Sequence, residues 1–370
     1  MRIAIVGPSY PYKGGIPAHT TELAHRLAAA GHDVVIESWA AQYPAFLYPG
    51  DSQTTDEPDG VPFRPTRRTL SWRRPDSWWR VGRRLRDRDL VVLTLVAPVQ
   101  SPPYRVLLRA LGRGPRTVGL CHNVLPHERR SVDERLIRSF LGRVGSVLVH
   151  TEPQATQART LTDRQVLVAT MPPHVLAGGG GSAPAPADAA TDAPTGAGPV
   201  HRRLLFFGLV RPYKGLDVLI RALAAGPPGV SLLVAGEFWG GTGETERLAA
   251  ELGVADRLTL RPGYVPAAAV PALFTEVDAL VLPYRAATAS QNAWVAFEHG
   301  VPVISTRAGT LAEQVTDGVD GILAEPDDVA DLTAALTRFY TPGMPEKLRA
   351  GVKPLDAEPV WQAYLATLTR

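Results

Sequence analysis

A chain of 370 residues, 45% apolar and 20% charged, is long enough for two hydrophobic cores and has the composition of a soluble globular protein. No apolar run approaches the roughly 20 residues needed to span a bilayer, which argues against an integral membrane protein. The single cysteine, Cys121, excludes an intrachain disulfide and a cysteine metal cluster. The net charge of +3 hides an asymmetry, because the N-terminal half is basic and the remainder mildly acidic.

The chain opens on MRIAIVGPSY, a strand-like run without the basic region, apolar core and cleavage site of a signal peptide, so a cytoplasmic protein is expected. The first strand, RIAIV (2–6), leads through YKGGIPAHT (12–20) into an apolar-periodic helix. Gly14 and Gly15 offer a backbone that an anion can approach closely, although a plain strand–helix turn would use glycine too. The loop is not the GxGxxG fingerprint, which argues against a nicotinamide enzyme. After a second strand, DVVIESW (33–39), ten arginines fall between Arg64 and Arg88, interleaved with Trp72, Trp78 and Trp79. Such a segment suits an anionic membrane surface, a nucleic acid or a solvated helix. No nucleic-acid module is recognisable in it, so no nucleic-acid partner is expected.

The strands LVVLTLV (90–96), RTVGLCH (116–122), SVLVH (146–150) and QVLVA (165–169) complete the first half. His122 and Asn123 therefore stand at the carboxyl end of a strand, with His127 and Glu128 just beyond. A histidine in that position can bond a sugar hydroxyl or a phosphate, act as acid or base, or simply satisfy a local hydrogen bond. Residues 177–200, AGGGGSAPAPADAATDAPTGAGPV, have too little bulk to bury and read as a flexible linker.

In the second half the strands are RLLFFG (203–208), VSLLVAG (230–236), RLTL (257–260), DALVLP (278–283), VPVIS (301–305) and GILA (321–324). Nearly all-apolar strands alternating with helices predict parallel sheets covered on both faces. The expected fold class is α/β: two Rossmann-like, doubly wound domains facing each other across a cleft. The boundaries are 1–176 for the N-terminal domain, 201–355 for the C-terminal domain and 356–370 for a final helix. Within GLVRPYKGLDVLI (208–220), Arg211, Lys214 and Gly215 sit where a strand hands over to a helix. The helix terminus should favour an anion there. Only Lys13, Lys214, Lys347 and Lys353 are lysines among 39 basic residues, which makes a lysine in this loop informative. Further on, Ser290 is placed to cap a helix across Gln291–His299 that carries Asn292 and Glu298. Polar groups at both ends of that helix could read opposite ends of an extended nucleotide-sugar. The bland alternative makes Ser290 a simple cap and Glu298 a surface carboxylate.

Taken together, YKGGIPAHT (12–20), GLVRPYKGLDVLI (208–220) and the block 281–327 resemble the retaining glycosyltransferases of family 4, with the GT-B fold. The resemblance covers nearly the whole chain outside the linker. It implies that Arg211 and Lys214 hold the diphosphate of a UDP-sugar or GDP-sugar donor and that Gly14 and Gly15 face the donor phosphates. It further implies that His122 lies beside the donor sugar, that Tyr264 and Val265 flank the base, and that Glu298 meets the ribose. Where many members carry a first Glu on the donor sugar, this chain has Ser290, followed by Gln291 and Asn292. No cofactor and no metal are implied. The acceptor would be a sugar, a lipid-linked carrier or a small molecule, reached in the cytoplasm or at the inner face of the cell membrane. An inactive nucleotide-sugar-binding partner protein and a specialised-metabolite transferase are the alternatives.

Overall fold

Strands that are apolar at every position can satisfy their side chains only when both faces of their sheet are covered, and the structure, a computed structural model, shows that arrangement twice. Residues 1–42, 52–56, 60–126, 131–173, 200–287 and 290–370 are described. The expected linker, but for Val200, lies outside the described residues, as do His127 and Glu128.

One sheet holds β1 (Arg2–Val6), β2 (Asp33–Ala41), β3 (Thr66–Ser71), β4 (Leu90–Leu95), β5 (Arg116–Cys121), β6 (Ser146–Val149) and β7 (Gln165–Val168). Their order across the sheet is β3-β2-β1-β4-β5-β6-β7. The other holds β8 (Arg203–Phe207), β9 (Ser231–Gly236), β10 (Leu258–Pro262), β11 (Ala279–Leu282), β12 (Val303–Thr306) and β13 (Gly321–Ala324), in the order β10-β9-β8-β11-β12-β13. Every pairing between these strands is parallel. The first strand of each sheet lies between the second and the fourth, so the winding reverses direction at its carboxyl end. Such switch points are where ligands bind in open α/β sheets.

The helices of the first sheet are α1 (Gly15–Ala29), α2 (Pro75–Arg84), α3 (Ser101–Leu111), α4 (Asp133–Leu141) and α5 (Glu152–Arg159). Those of the second are α6 (Leu216–Ala225), α7 (Gly243–Glu251), α8 (Val270–Thr275), α9 (Asn292–Glu298), α10 (Leu311–Gln314), α11 (Val329–Phe339) and α12 (Met344–Gly351). The alternation of β1 shows how the faces are filled. Ile3 and Ile5 join one apolar cluster, Ala4 and Val6 the opposite one. The last helix, α13 (Ala357–Thr369), belongs to the first unit, which comprises Met1–His174 and Asp356–Arg370, the second being Val175–Leu355. Trp361, Tyr364 and Leu368 of α13 are buried in the cluster that contains Ile3, Ile5 and Leu23. The Trp361 indole donates to the Pro173 carbonyl at 3.1 Å.

The basic segment 64–88 is not one helix. Its first part forms β3, an edge strand paired with β2, and only Pro75–Arg84 is helical. The physical reason is Glu37, fully buried on β2, whose carboxylate accepts two bonds from Arg84 at 2.9 and 2.6 Å and one from Arg67 at 3.4 Å. A buried carboxylate needs cationic partners, so part of the arginine content serves the fold. Arg68, Arg73 and Arg83 stay exposed, as do Trp72 and Trp79, and the Arg73 guanidinium lies 5.5 Å from the Trp72 ring centroid.

Candidate functional site

In the second unit the switch point lies between β8 and β11, and the turn after β8 carries the two predicted cations. Gly208 has φ +100°, and a Cβ there would lie 3.4 Å from Asn292 Nδ2 and 3.8 Å from Lys214 Nζ. The glycine therefore lets both side chains close onto the strand end. Arg211 opens a single 3-10 turn, Pro212–Lys214, and Gly215, at φ 67°, starts α6. The position of Gly215 admits no side chain, because a Cβ would stand 2.0 Å from the Pro283 carbonyl oxygen.

The turn is held from below by Arg285, at the end of β11. Its backbone N–H donates to the Tyr213 carbonyl at 2.8 Å, and its guanidinium donates to the Pro212 carbonyl, Asp217 and Asp327. The Asp217 bond foremost, and that to Asp327, raise the Arg285 pKa against the opposing effect of burial. Asp217 changes the expectation for α6. Burial works to raise its pKa, but Arg285 and the amides of Asp217 and Val218 outweigh this and leave it lowered. The α6 terminus thus already carries its own carboxylate, while the turn before it carries the two cations Arg211 and Lys214. The situation at α1 is the reverse. Gly14 is its N-cap with φ 99°, no side-chain cap and no acidic residue in the first turn, and Gly14 and Gly15 are exposed. That terminus retains the positive dipole end.

Lys214 is half-buried, with Nζ over the Tyr284 ring, 5.1 Å from its centroid. Burial lowers its pKa; Tyr213 opposes the change and Arg211 adds to it. Among the described residues no carboxylate pairs with it. The Arg211 guanidinium lies 4.3 Å from the centroid of Trp239, in the loop after β9, and 5.9 Å from that of Tyr213. Tyr284 is buried and its phenol is pushed up to about 12 by burial, against hydrogen bonds with Ser290 and Asn292. Asn292 Nδ2 donates to the Phe207 carbonyl at 2.9 Å and to the Tyr284 hydroxyl at 3.3 Å.

Lys214, Tyr284, Ser290 and Asn292 are thereby brought together around the end of β8. Ser290 is not the cap. Gln291 holds the N-cap position of α9, which starts at Asn292. The buried Ser290 Oγ accepts the Asn292 N–H at 3.3 Å and bonds Tyr284, so its hydroxyl is spent on fixing the loop. Glu298 ends α9 and is exposed rather than enclosed by its apolar neighbours. What cover it has pushes its carboxyl above the ordinary value. Tyr264 and Val265 follow β10, where the Gly263 N–H donates to the Gly236 carbonyl at 2.9 Å. Val265 packs against the core that holds Phe207 and Tyr284.

In the first unit His122 does follow β5, but its side chain is only 6% exposed. It sits among His19 of α1, His150 at the end of β6 and, through His19, Trp361 and Tyr364 of α13. His150 was legible: RTVGLCH and SVLVH are two apolar runs that both end in histidine. Trp239, Tyr284 and Arg285 carry no such pattern, because their roles depend on which loops the sheet order makes neighbours. Among the described residues no group of three or more His, Cys, Asp or Glu could hold a metal ion, and no helix is long and apolar enough to cross a membrane.

Residues 13–168 match the model of Glycosyltransferase Family 4, and residues 201–341 that of Glycosyl transferases group 1. The chain has the GT-B glycosyltransferase fold. Sucrose-phosphate synthase from Thermosynechococcus elongatus superposes over the whole chain and 97% of its own, with TM-score 0.71 and 16% identity. Anabaena Alr3699/HepE in complex with UDP-glucose superposes over the whole of both chains, also with TM-score 0.71 and 16% identity. In sequence the chain is 34% identical to D-inositol 3-phosphate glycosyltransferase of Segniliparus rotundus over 177 residues, which is 44% of this chain and 38% of that relative. The chain therefore spans less than half the length of the curated relative it matches.

Proposed function

We propose that this protein transfers a sugar from a nucleotide-diphosphate-sugar donor, a UDP- or GDP-sugar, to an acceptor hydroxyl with retention of anomeric configuration. The observation that carries the reading is Lys214: a desolvated ammonium with no carboxylate partner among the described residues, close enough to Arg211 to be lowered by it, at the switch point of its sheet. An ammonium that has lost part of its water is costly until an anion reaches it, and a diphosphate supplies that charge. The bond from the anomeric carbon to the diphosphate oxygen breaks. The acceptor oxygen bonds the same carbon from the same face, and its proton passes to the leaving diphosphate. Arg211 and Lys214 stabilise the charge that grows on that leaving group. Tyr264 and Val265 flank the base, Glu298 serves the ribose, and Ser290, Gln291 and Asn292 shape the sugar side. Gly14 and Gly15 are assigned to donor phosphates and His122 to the donor sugar, by resemblance. Neither metal nor cofactor is required by this step.

The fold shared with a UDP-glucose-bound protein and the partial likeness to an inositol-phosphate glycosyltransferase support the reading. Exposed Trp72 and Trp79, in a segment that also exposes Arg68, Arg73 and Arg83, favour a lipid-linked acceptor in cell-envelope or exopolysaccharide assembly, met at the cytoplasmic face of the membrane. The deciding experiment is Lys214→Ala, assayed for acceptor-dependent release of nucleoside diphosphate. Turnover is expected to fall about 10²–10³-fold, as when one preorganised electrostatic contact is removed, with the melting temperature unchanged. Near-normal turnover refutes the assignment.

A further inference from the structure

Three buried histidines meet in the first unit, and two of them are ordered by the sheet itself. β5 and β6 pair with Val118 opposite Ser146 and Leu120 opposite Leu148. Two residues further on, the same register sets His122 beside His150. Their rings lie 4.9 Å apart, with His122 Nδ1 and His150 Nε2 separated by 3.2 Å. The other nitrogen of His150, Nδ1, lies 3.2 Å from the Ala169 carbonyl oxygen at the end of β7. Gln154, in the first turn of α5, spans both strand ends. Its Oε1 accepts the His150 N–H at 2.8 Å and its Nε2 donates to the His122 carbonyl at 2.7 Å.

Hydrogen-bond chemistry then leaves one arrangement. A carbonyl oxygen only accepts, so His150 Nδ1 carries a hydrogen. A neutral imidazole has one hydrogen, so His150 Nε2 is an acceptor and His122 Nδ1 must donate to it. Burial keeps His150 neutral by lowering its pKa to about 4, with the Ala169 bond opposing. The neighbours agree. The Tyr364 ring stacks on His150 at 6.0 Å, and burial pushes its phenol up, so it is uncharged. His19 stands edge-on to His122 and bonds the Tyr364 hydroxyl.

We propose that His150 is a positioning residue for His122, holding it in the tautomer with hydrogen on Nδ1 and the lone pair on Nε2. The inference rests on the reading that places His122 beside the donor sugar. His122 Nε2 is itself buried in this structure, so under that reading any contact it makes with the sugar is as an acceptor of a hydroxyl hydrogen and never as a neutral donor. The sugar contact then selects a hydroxyl at that position over a group that can only accept, such as an ether oxygen.

The tautomer is read directly by two-bond proton–nitrogen correlation on the full chain labelled with 15N-histidine, peaks being assigned by their loss in His122→Asn and His150→Gln. In the wild type, His122 and His150 are both expected with hydrogen on Nδ1. His150→Phe removes the acceptor at nearly constant volume; His122 should shift toward hydrogen on Nε2, and kcat/KM should fall about tenfold. His150→Gln restores an acceptor and should recover most of that loss. A wild-type His122 with hydrogen on Nε2, or a His122 signal unaltered in His150→Phe, overturns the proposal and needs no activity measurement. Separately, full turnover in His122→Asn overturns the placement of His122 at the donor, whatever the tautomer.

Discussion

His150 also makes the first unit acid-sensitive, by an amount that can be worked out. Its pKa is about 4 in the fold, against 6.5 ordinarily, and burial is the cause. Below pH 6.5 the unfolded chain binds a proton that the folded chain refuses until near pH 4. The neutral ring's contribution is therefore complete above pH 6.5 and drains away as the pH falls toward 4. A shift of roughly 2.5 units corresponds to about 3 kcal/mol over the whole window, and about 2 kcal/mol of it is lost between pH 7.5 and pH 5. That is a sizeable share of the 5–15 kcal/mol that typically holds a domain. The assay is urea unfolding at both pH values, for wild type and His150→Gln. A glutamine does not titrate, and the lowered pKa values of His32 and His299 are present in both proteins and cancel. The wild type should lose about 2 kcal/mol more than the variant on acidification. Equal losses in the two proteins would refute a neutral, buried His150.

Gly215→Ala forces a left-handed conformation on a residue with a Cβ and drives it against the Pro283 carbonyl; unfolding should show a cost above about 2 kcal/mol, with donor affinity lost as the Lys214 turn shifts. Trp361→Ala leaves a hole in the cluster of Ile3, Ile5 and Leu23 and removes the bond to Pro173; thermal unfolding should report about 3–5 kcal/mol of destabilisation. Replacing the exposed Trp72 and Trp79 together by Ser should abolish co-sedimentation with anionic vesicles at low salt while donor hydrolysis continues. If the wild type does not sediment with such vesicles, the membrane-facing acceptor is wrong.

Much of the fold could be read from one sequence because an all-apolar strand is a local signal. RIAIV, LVVLTL and RLLFF need two covered faces wherever they stand, and helix periodicity between them leaves parallel winding as the solution. β3 escaped for the same reason in reverse. An edge strand covered on few sides carries polar residues, and Thr66–Ser71 reads as part of an arginine run until Glu37 is seen beneath it. At the site, the turn from Gly208 to Gly215 was legible because glycine, arginine and lysine at those spacings have few structural uses. Its partners were not. Trp239 and Arg285 reach Arg211 and the Lys214 turn from loops after β9 and β11, which become neighbours only through the sheet order.

The sequence by itself determined the two doubly wound sheets, the cations at the end of β8 and the glycines at the head of α1, since each follows from residue type and spacing within a few positions. Only the tertiary structure decided how charge is distributed among them. Asp217 and Arg285 close the α6 terminus, Gly14 and Gly15 leave that of α1 exposed, and Ser290 turns inward to Tyr284. Register decided which nitrogen of His122 holds its hydrogen, by setting His150 beside it. Hydrophobic pattern is written locally along the chain, whereas electrostatics and hydrogen bonding depend on what each group faces once the strands are ordered.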